Sequence, residues 1–127
     1  MKKLVTILFL TLGIGNLKSY AQVPGITYQA VILSPDGKAL PGINHANTPL
    51  AEQEICLKFS FLNLAGDYEY EEIIQTKTDP FGMVNVIIGK GEQVGGLASS
   101  FDKIPWSIAA KFLEVSLDKS GACGEFS

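Results

Sequence analysis

Glu54-Ile55-Cys56-Leu57-Lys58-Phe59-Ser60-Phe61-Leu62 is the stretch that decides the fold. Ile55, Leu57, Phe59 and Phe61 recur at every second position, with Cys56, Lys58 and Ser60 between them. A period of two places the apolar set on one face of a strand and the other set toward solvent. Wound as a helix, the same aromatics would scatter around the cylinder. The alternation therefore predicts a β-strand with one buried face. Ala65-Gly66-Asp67 then supplies a turn, and residues 68–78 (YEYEEIIQTKT) predict a second long strand. Tyr68 and Tyr70 alternate with Glu69 and Glu71, so these two glutamates read as a solvated face near Gln75 and Lys77. The phase blurs at Glu72, Ile73 and Ile74, where a bulge would switch it.

The rest of the chain repeats this grammar. Residues 26–33 (ITYQAVIL) are rich in β-branched and aromatic types and predict a strand. Ser34-Pro35-Asp36-Gly37 and Asp79-Pro80-Phe81-Gly82 are turns: proline presets φ, aspartate bonds its own backbone and glycine accepts positive φ. A short returning strand is expected at 38–40, a loop holding His45 at 41–49, and an irregular Gly-rich stretch at 90–100. Residues 83–88 (MVNVII) predict a central strand covered on both faces. Phe101 to Trp106 offer apolar anchors for one end of the core, and 107–110 a helical turn. Residues 112–117 (FLEVSL) form the last clear strand, and Gly124-Glu125-Phe126-Ser127 begin another that stops at once. Short strands between Gly, Pro and Asp turns, without long helical periodicity, predict an all-β domain. At this size the economical architecture is a two-sheet antiparallel β-sandwich, immunoglobulin-like or transthyretin-like, with a small barrel as the alternative.

The first residues predict export. Lys2 and Lys3 precede an uncharged apolar run from Leu4 to Ile14, and Ser19-Tyr20-Ala21 is a small-x-small triplet before Gln22. That is the order of a secretory signal peptide. A membrane-spanning helix needs about 20 apolar residues, and Lys18 closes this run early. The expected organisation is a signal at 1–21 and a single β-domain at 22–127, bound for the periplasm, cell surface or medium. Removing 21 of the 127 residues leaves 106, with seven lysines, no arginine and thirteen acids. That acidity excludes nucleic acid, whose binding needs cations to displace phosphate counterions, and disfavours docking on an anionic membrane.

The chemistry-bearing residues are sparse. Cys56 and Cys123 sit in a compartment that permits a disulfide, but one falls inside a strand and the other in a Gly-rich tail. The simpler reading is a small apolar residue and an exposed thiol. Two cysteines and the lone His45 have no metal-ligand spacing. Asp36, Asp67, Asp79 and Asp118 could meet as a calcium site between loops, but lack EF-hand spacing. Ser34, Ser60, Ser99, Ser100 and Ser107 have no nucleophile context, and no Gly-rich phosphate loop leads into a helix. No catalytic, cofactor-binding or metal residue is therefore nominated, and the expectation is a non-enzymatic secreted or cell-surface module, a spacer or adhesin-type domain. The alternative is a carbohydrate-binding module in which Tyr68, Tyr70, Phe101 and Trp106 stack on sugar rings. A protein or a glycan is the expected partner.

The order of segments resembles a family of exported domains of Bacteroidota-type bacteria. The resemblance runs through Ile26-Thr27-Tyr28-Gln29-Ala30-Val31, Asp36-Gly37-Lys38, residues 55–62, Tyr70-Glu71-Glu72, residues 79–91, Ile104-Pro105-Trp106 and Phe112-Leu113-Glu114-Val115. It covers nearly all of residues 22–127. It implies an N-terminal module of unassigned activity that often precedes collagen-like or tail-fibre-like segments. In that family the chain continues past the position of Phe126 through a further strand. Its lack here predicts a sandwich missing its last strand, with an unpaired edge that favours self-association.

Overall fold

The computed structural model describes residues 25–34 and 48–127. The leader, the turn at Pro35-Asp36-Gly37, the expected strand at 38–40 and His45 lie outside the described residues. Eight strands follow one another: β1 (Ile26–Val31), β2 (Leu33–Ser34), β3 (Thr48–Pro49), β4 (Glu54–Leu62), β5 (Tyr68–Lys77), β6 (Met83–Ile88), β7 (Glu92–Gly95) and β8 (Phe112–Asp118), with a single 3-10 turn at Phe101–Lys103. They make an antiparallel four-stranded sheet in the order β7-β5-β4-β8, faced by the β1-β6 pair, while β2 and β3 form a short ribbon. The described residues thus form an all-β antiparallel sandwich rather than a closed barrel.

β4 is the centre of the molecule, paired with β5 along one side and β8 along the other. Its Ile55, Leu57, Phe59 and Phe61 face Val84, Val86 and Ile88 of β6 across the core, as the alternation requires. Tyr28 of β1 meets Phe59 edge-on at 5.0 Å between ring centroids. Burying a Phe or Leu side chain contributes about 1.5–3 kcal/mol, so this four-residue row is the main apolar driving force of the sheet. The opposite face of β4 is not solvated as expected. Cys56 and Ser60 are both buried: the C-terminal tail covers the first, and Ser60 donates to Glu71, itself paired with Lys58 at 3.1 Å.

The phase of β5 is the second correction. β4 and β5 slip register between Phe61 and Leu62, so Phe61 faces Tyr70, Leu62 faces Tyr68, and Glu69 has no partner across the ladder. The bulge therefore comes before Glu72. Downstream of it Tyr70, Glu72 and Ile74 stay on the core face, opposite Phe61, Phe59 and Leu57, and Ile73 points away. Glu69 is carried inward by the bulge and is buried, while Tyr68 is exposed.

Three further differences have simple causes. The expected strand at 26–33 breaks at Ile32, whose N–H donates to Gly82 O and whose carbonyl accepts from Leu50 N–H, both at 2.8 Å. β6 is not covered twice; with only β1 beside it, Val84, Val86 and Ile88 are buried while Met83 and Ile87 are exposed. Part of the Gly-rich stretch forms β7, and Thr48–Pro49 forms β3. The turn at Asp79-Pro80-Phe81-Gly82 is present. Asp79 Oδ1 accepts from Phe81 and Met83 N–H at 2.8 Å each, and Gly82 takes φ +78° in space a Cβ would share with the Ile32 carbonyl.

Candidate functional site

β8 is built from the same alternation as β4 but lacks the same surroundings. Leu113, Val115 and Leu117 lie opposite Phe61, Phe59 and Leu57 and so share the core face of the sheet. Even there Leu113 is 42% and Val115 37% exposed, because the β1-β6 pair does not extend over them. Phe112 is also exposed, on the opposite face.

The free edge of β8 carries one rung. Leu117 and Ser127 exchange both backbone hydrogen bonds, at 3.0 and 3.1 Å. A residue that exchanges both bonds with one neighbour turns its N–H and C=O away from the other neighbour. The amide and carbonyl of Leu117 therefore point away from β4. By the strand's period of two, so do those of Val115 and Leu113. No described residue bonds to these four groups. The expected incipient strand at Gly124–Ser127 is thus real at its last residue.

A compact hook holds that last residue in place. Asp118, the final residue of β8, is buried. Its carboxylate accepts from the Ser120 hydroxyl at 2.6 Å and from the amides of Ser120, Gly124 and Glu125 at 2.9, 2.9 and 3.1 Å. The Ser120 hydroxyl first, then these amides, hold its carboxyl well below the usual carboxylate range. Cys123 is bonded to Cys56 on β4, across 67 positions of chain and 5.2 Å between Cα atoms. The pairing replaces the expected exposed thiol. No local sequence signal marks it; only the register of β8 on β4, which sets Cys56 directly opposite Asp118 where the tail begins, brings the two cysteines together. Gln53 Nε2 donates to Lys119 O at 2.7 Å and Gln75 Nε2 to Gly121 O at 2.9 Å. Cys123 itself adopts φ +59°, a left-handed backbone that a non-glycine side chain rarely takes. A cleft of about 450 Å³ lies between this hook and the β2 end, bordered by Ser34, Leu50, Leu117, Asp118 and Ser127.

The acidic cluster does not read as the sequence suggested. Glu69 is no solvated edge residue. Its Oε1 accepts from Lys111 Nζ at 3.0 Å, and Oε2 lies 2.8 Å from the same nitrogen without hydrogen-bond geometry. The pair is buried at both ends and fastens the start of β8 to β5. Glu72 is completely buried. It accepts from Tyr70 Oη at 2.7 Å and from Gly89 N–H at 2.8 Å. Burial, with the Glu72 carboxyl against its hydroxyl, pushes Tyr70 above its ordinary value. Gly89 has φ +101°, and a Cβ there would press into the Phe101 ring. Only Glu71 remains near the surface, tied to Lys58 and Ser60. Three carboxylates of one strand thus have three structural duties, and the three lie on both faces of the sheet.

The aromatics separate similarly. Tyr70 and Phe101 are buried and meet edge-on at 5.6 Å, and Phe61 and Phe101 each meet Trp106 edge-on, at 5.1 and 5.3 Å. Trp106, 39% exposed, borders an apolar cleft of about 370 Å³ with Gly25, Ile26 and Phe101. Tyr68 is exposed on β5. Of the aspartates considered for calcium, Asp79 and Asp118 are engaged by their own turns and Asp67 closes a turn with Asn63, while Asp36 lies outside the described residues. Among the described residues no three His, Cys, Asp or Glu side chains gather as a metal site, and no helix is long and apolar enough to cross a membrane. No protein-family model, curated protein or solved structure matches the chain.

Proposed function

We propose that the chain is an exported, non-enzymatic structural or interaction module of the Bacteroidota-type kind its segments resemble, and that it acts by contact with another macromolecule. The observation that carries this reading is the contrast within one sheet. Titratable groups that could serve chemistry are spent on holding strands together, as in Glu69–Lys111 and Glu72–Tyr70. Among the described residues, the apolar Phe112, Leu113 and Val115 of β8 are meanwhile exposed. The Cys56–Cys123 bond is compatible with an oxidising compartment. The test is expression of the full chain in a bacterial host, followed by fractionation and N-terminal sequencing. A product outside the cytoplasm that begins at Gln22 is the expected result; an uncleaved cytoplasmic product overturns the export half of the reading.

The exposed indole favours a second reading, in which Trp106 stacks on a sugar ring in its apolar cleft. Trp106→Ala would then abolish retention on immobilised glycans while the far-ultraviolet spectrum stays unchanged. Retention equal to that of the parent chain removes this reading. Tyr70, buried in the core, plays no part in it, and Phe101 enters only as a wall of the cleft.

A further inference from the structure

We infer that the Cys56–Cys123 bond is a reversible redox latch, that a dithiol opens and closes it through Cys123, and that Asp118 is the residue that positions Cys123 for closure. This goes beyond the proposed contact function and does not rest on it.

The latch lies on the face of β4 away from the core, since Cys56 alternates with the core residues Ile55, Leu57, Phe59 and Phe61. Asp118 stands directly opposite Cys56 in the β4–β8 ladder. Residues so placed share a face, with Cβ atoms about 4.5–5.5 Å apart. A loop wrapped around the Asp118 carboxylate is therefore held over Cys56. That carboxylate grips both ends of the loop: Oδ1 accepts from the Ser120 amide and hydroxyl, and Oδ2 from the Gly124 and Glu125 amides. The Ser120 hydroxyl in turn accepts from the Ala122 amide at 3.2 Å. Both chain neighbours of Cys123 are thus tied down independently of the sulfurs. Cys123 itself has φ +59°. A left-handed backbone is costly for a non-glycine residue, and the carboxylate cage and the bond hold it together.

The two sulfurs are not equivalent. Cys56 is completely buried, in the ladder between Gln75 and Asp118. Cys123 is only half-buried. Exchange requires a thiolate to reach the sulfur it attacks. The first thiolate of the dithiol therefore bonds to Cys123 Sγ. The Cys56–Cys123 bond breaks, and its electron pair leaves on Cys56 Sγ, which takes up a proton. The Gly121 carbonyl oxygen lies 3.3 Å from that sulfur and accepts from the new thiol. The second thiolate of the dithiol then attacks its own partner sulfur and releases Cys123, which is protonated in turn. The dithiol ends as a disulfide, and two electrons have passed to the chain. Closure is the reverse sequence.

The test equilibrates the full chain in mixtures of reduced and oxidised dithiothreitol, with free thiols alkylated and counted by mass spectrometry. The expected result is one closure constant reached from both directions, with the Leu57 and Phe59 amides still protected in the reduced chain. Asp118→Asn exchanges charge-assisted bonds for weaker neutral ones and should lower the closure constant at least about fivefold. Glu114→Gln makes the same charge change on β8 outside the cage and should leave it unchanged. Coupling is reciprocal, so the Gly124 and Glu125 amides should exchange faster in the reduced parent chain. Brief exposure to excess glutathione should trap an adduct on Cys123. An adduct on Cys56 overturns the inference, as does an Asp118→Asn closure constant equal to that of the parent. Loss of protection at Leu57 and Phe59 on reduction also overturns it, because the bond is then a staple of the whole sheet. If Asp118→Asn fails to fold, Ser120→Ala removes only the hydroxyl bond and should weaken closure about twofold or more; no change there overturns the inference equally. Failure of the fractionation experiment leaves these results standing.

Discussion

The four-stranded sheet has two edges, and they are treated differently. At one edge β7 is four residues long, and its pairing with β5 slips register between Glu71 and Glu72. Gln93 folds its amide back onto the carbonyls of Gly95 and Ala98, at 3.2 and 2.8 Å. Shortness, irregularity and local polar bonds are how natural sheets blunt an edge against stray pairing. At the other edge β8 runs seven residues in unbroken register with β4 and presents Phe112, Leu113 and Val115 to solvent. Among the described residues, Ser127 covers it at Leu117 and Glu114 places a charge midway along it. Among these residues one edge is thus shortened and irregular, and the other is long and regular.

If β4 is the sealed centre and β8 the open margin, substitutions should separate them sharply. Phe59→Ala removes a fully buried ring and should cost about 3–5 kcal/mol, read as a shift in the urea midpoint. Lys111→Met strips the buried Glu69 carboxylate of its cation and should cost about 3 kcal/mol or more. Its loss should also raise hydrogen exchange at the start of β8 before the rest of the sheet. Reduction of Cys56–Cys123 frees a loop of 67 positions. Chain entropy places its cost at about 4 kcal/mol as an upper value, measured from unfolding curves with and without reductant. The Leu117 amide should lose protection with it. An unchanged Leu117 amide in the reduced chain would show that the hook does not need its bond to seat Ser127.

The hook should also respond to acid. A carboxyl held below its unfolded value contributes stability that is full above the unfolded pKa and is lost as pH falls through the folded one. Asp118 is such a group. The amides of Gly124 and Glu125 should therefore remain protected at pH 5 and begin to loosen only below the ordinary aspartate value of about 3.9. Asp118→Asn should weaken that protection at every pH. Loosening of these amides near neutral pH would contradict the geometry of the loop.

What the sequence disclosed, and what it withheld, follows one physical line. Period two is a local property, so β4 and β6 were legible to the residue and β5 and β8 nearly so. The Asp79 turn was legible because its aspartate and glycine act within four residues. Glu69 was misread because a bulge is a relation between two strands, and the slip opposite Leu62 is written in neither strand alone. Glu72 breaks the apolar rule on a core face; its partners, Tyr70 two residues before it and the Gly89 amide seventeen positions on, make that burial tolerable. The disulfide needed to know that the tail folds back beside β4. Asn63, whose side chain accepts from the Ala65 and Asp67 amides at 2.9 Å each, could have been found, since an asparagine opening Asn-Leu-Ala-Gly-Asp is a turn former.

The smallest expected effect is the most discriminating. Val94 of β7 and Leu113 of β8 are both half-exposed apolar residues on edge strands. Val94→Thr and Leu113→Thr should each change the stability of the chain alone by no more than about 0.5 kcal/mol, because neither side chain is enclosed. Leu113 differs only in lying on the core face of the sheet. A Leu113→Thr chain that loses as much stability as a core truncation would mean that the face of β8 is closed after all, and the two edges would then be alike.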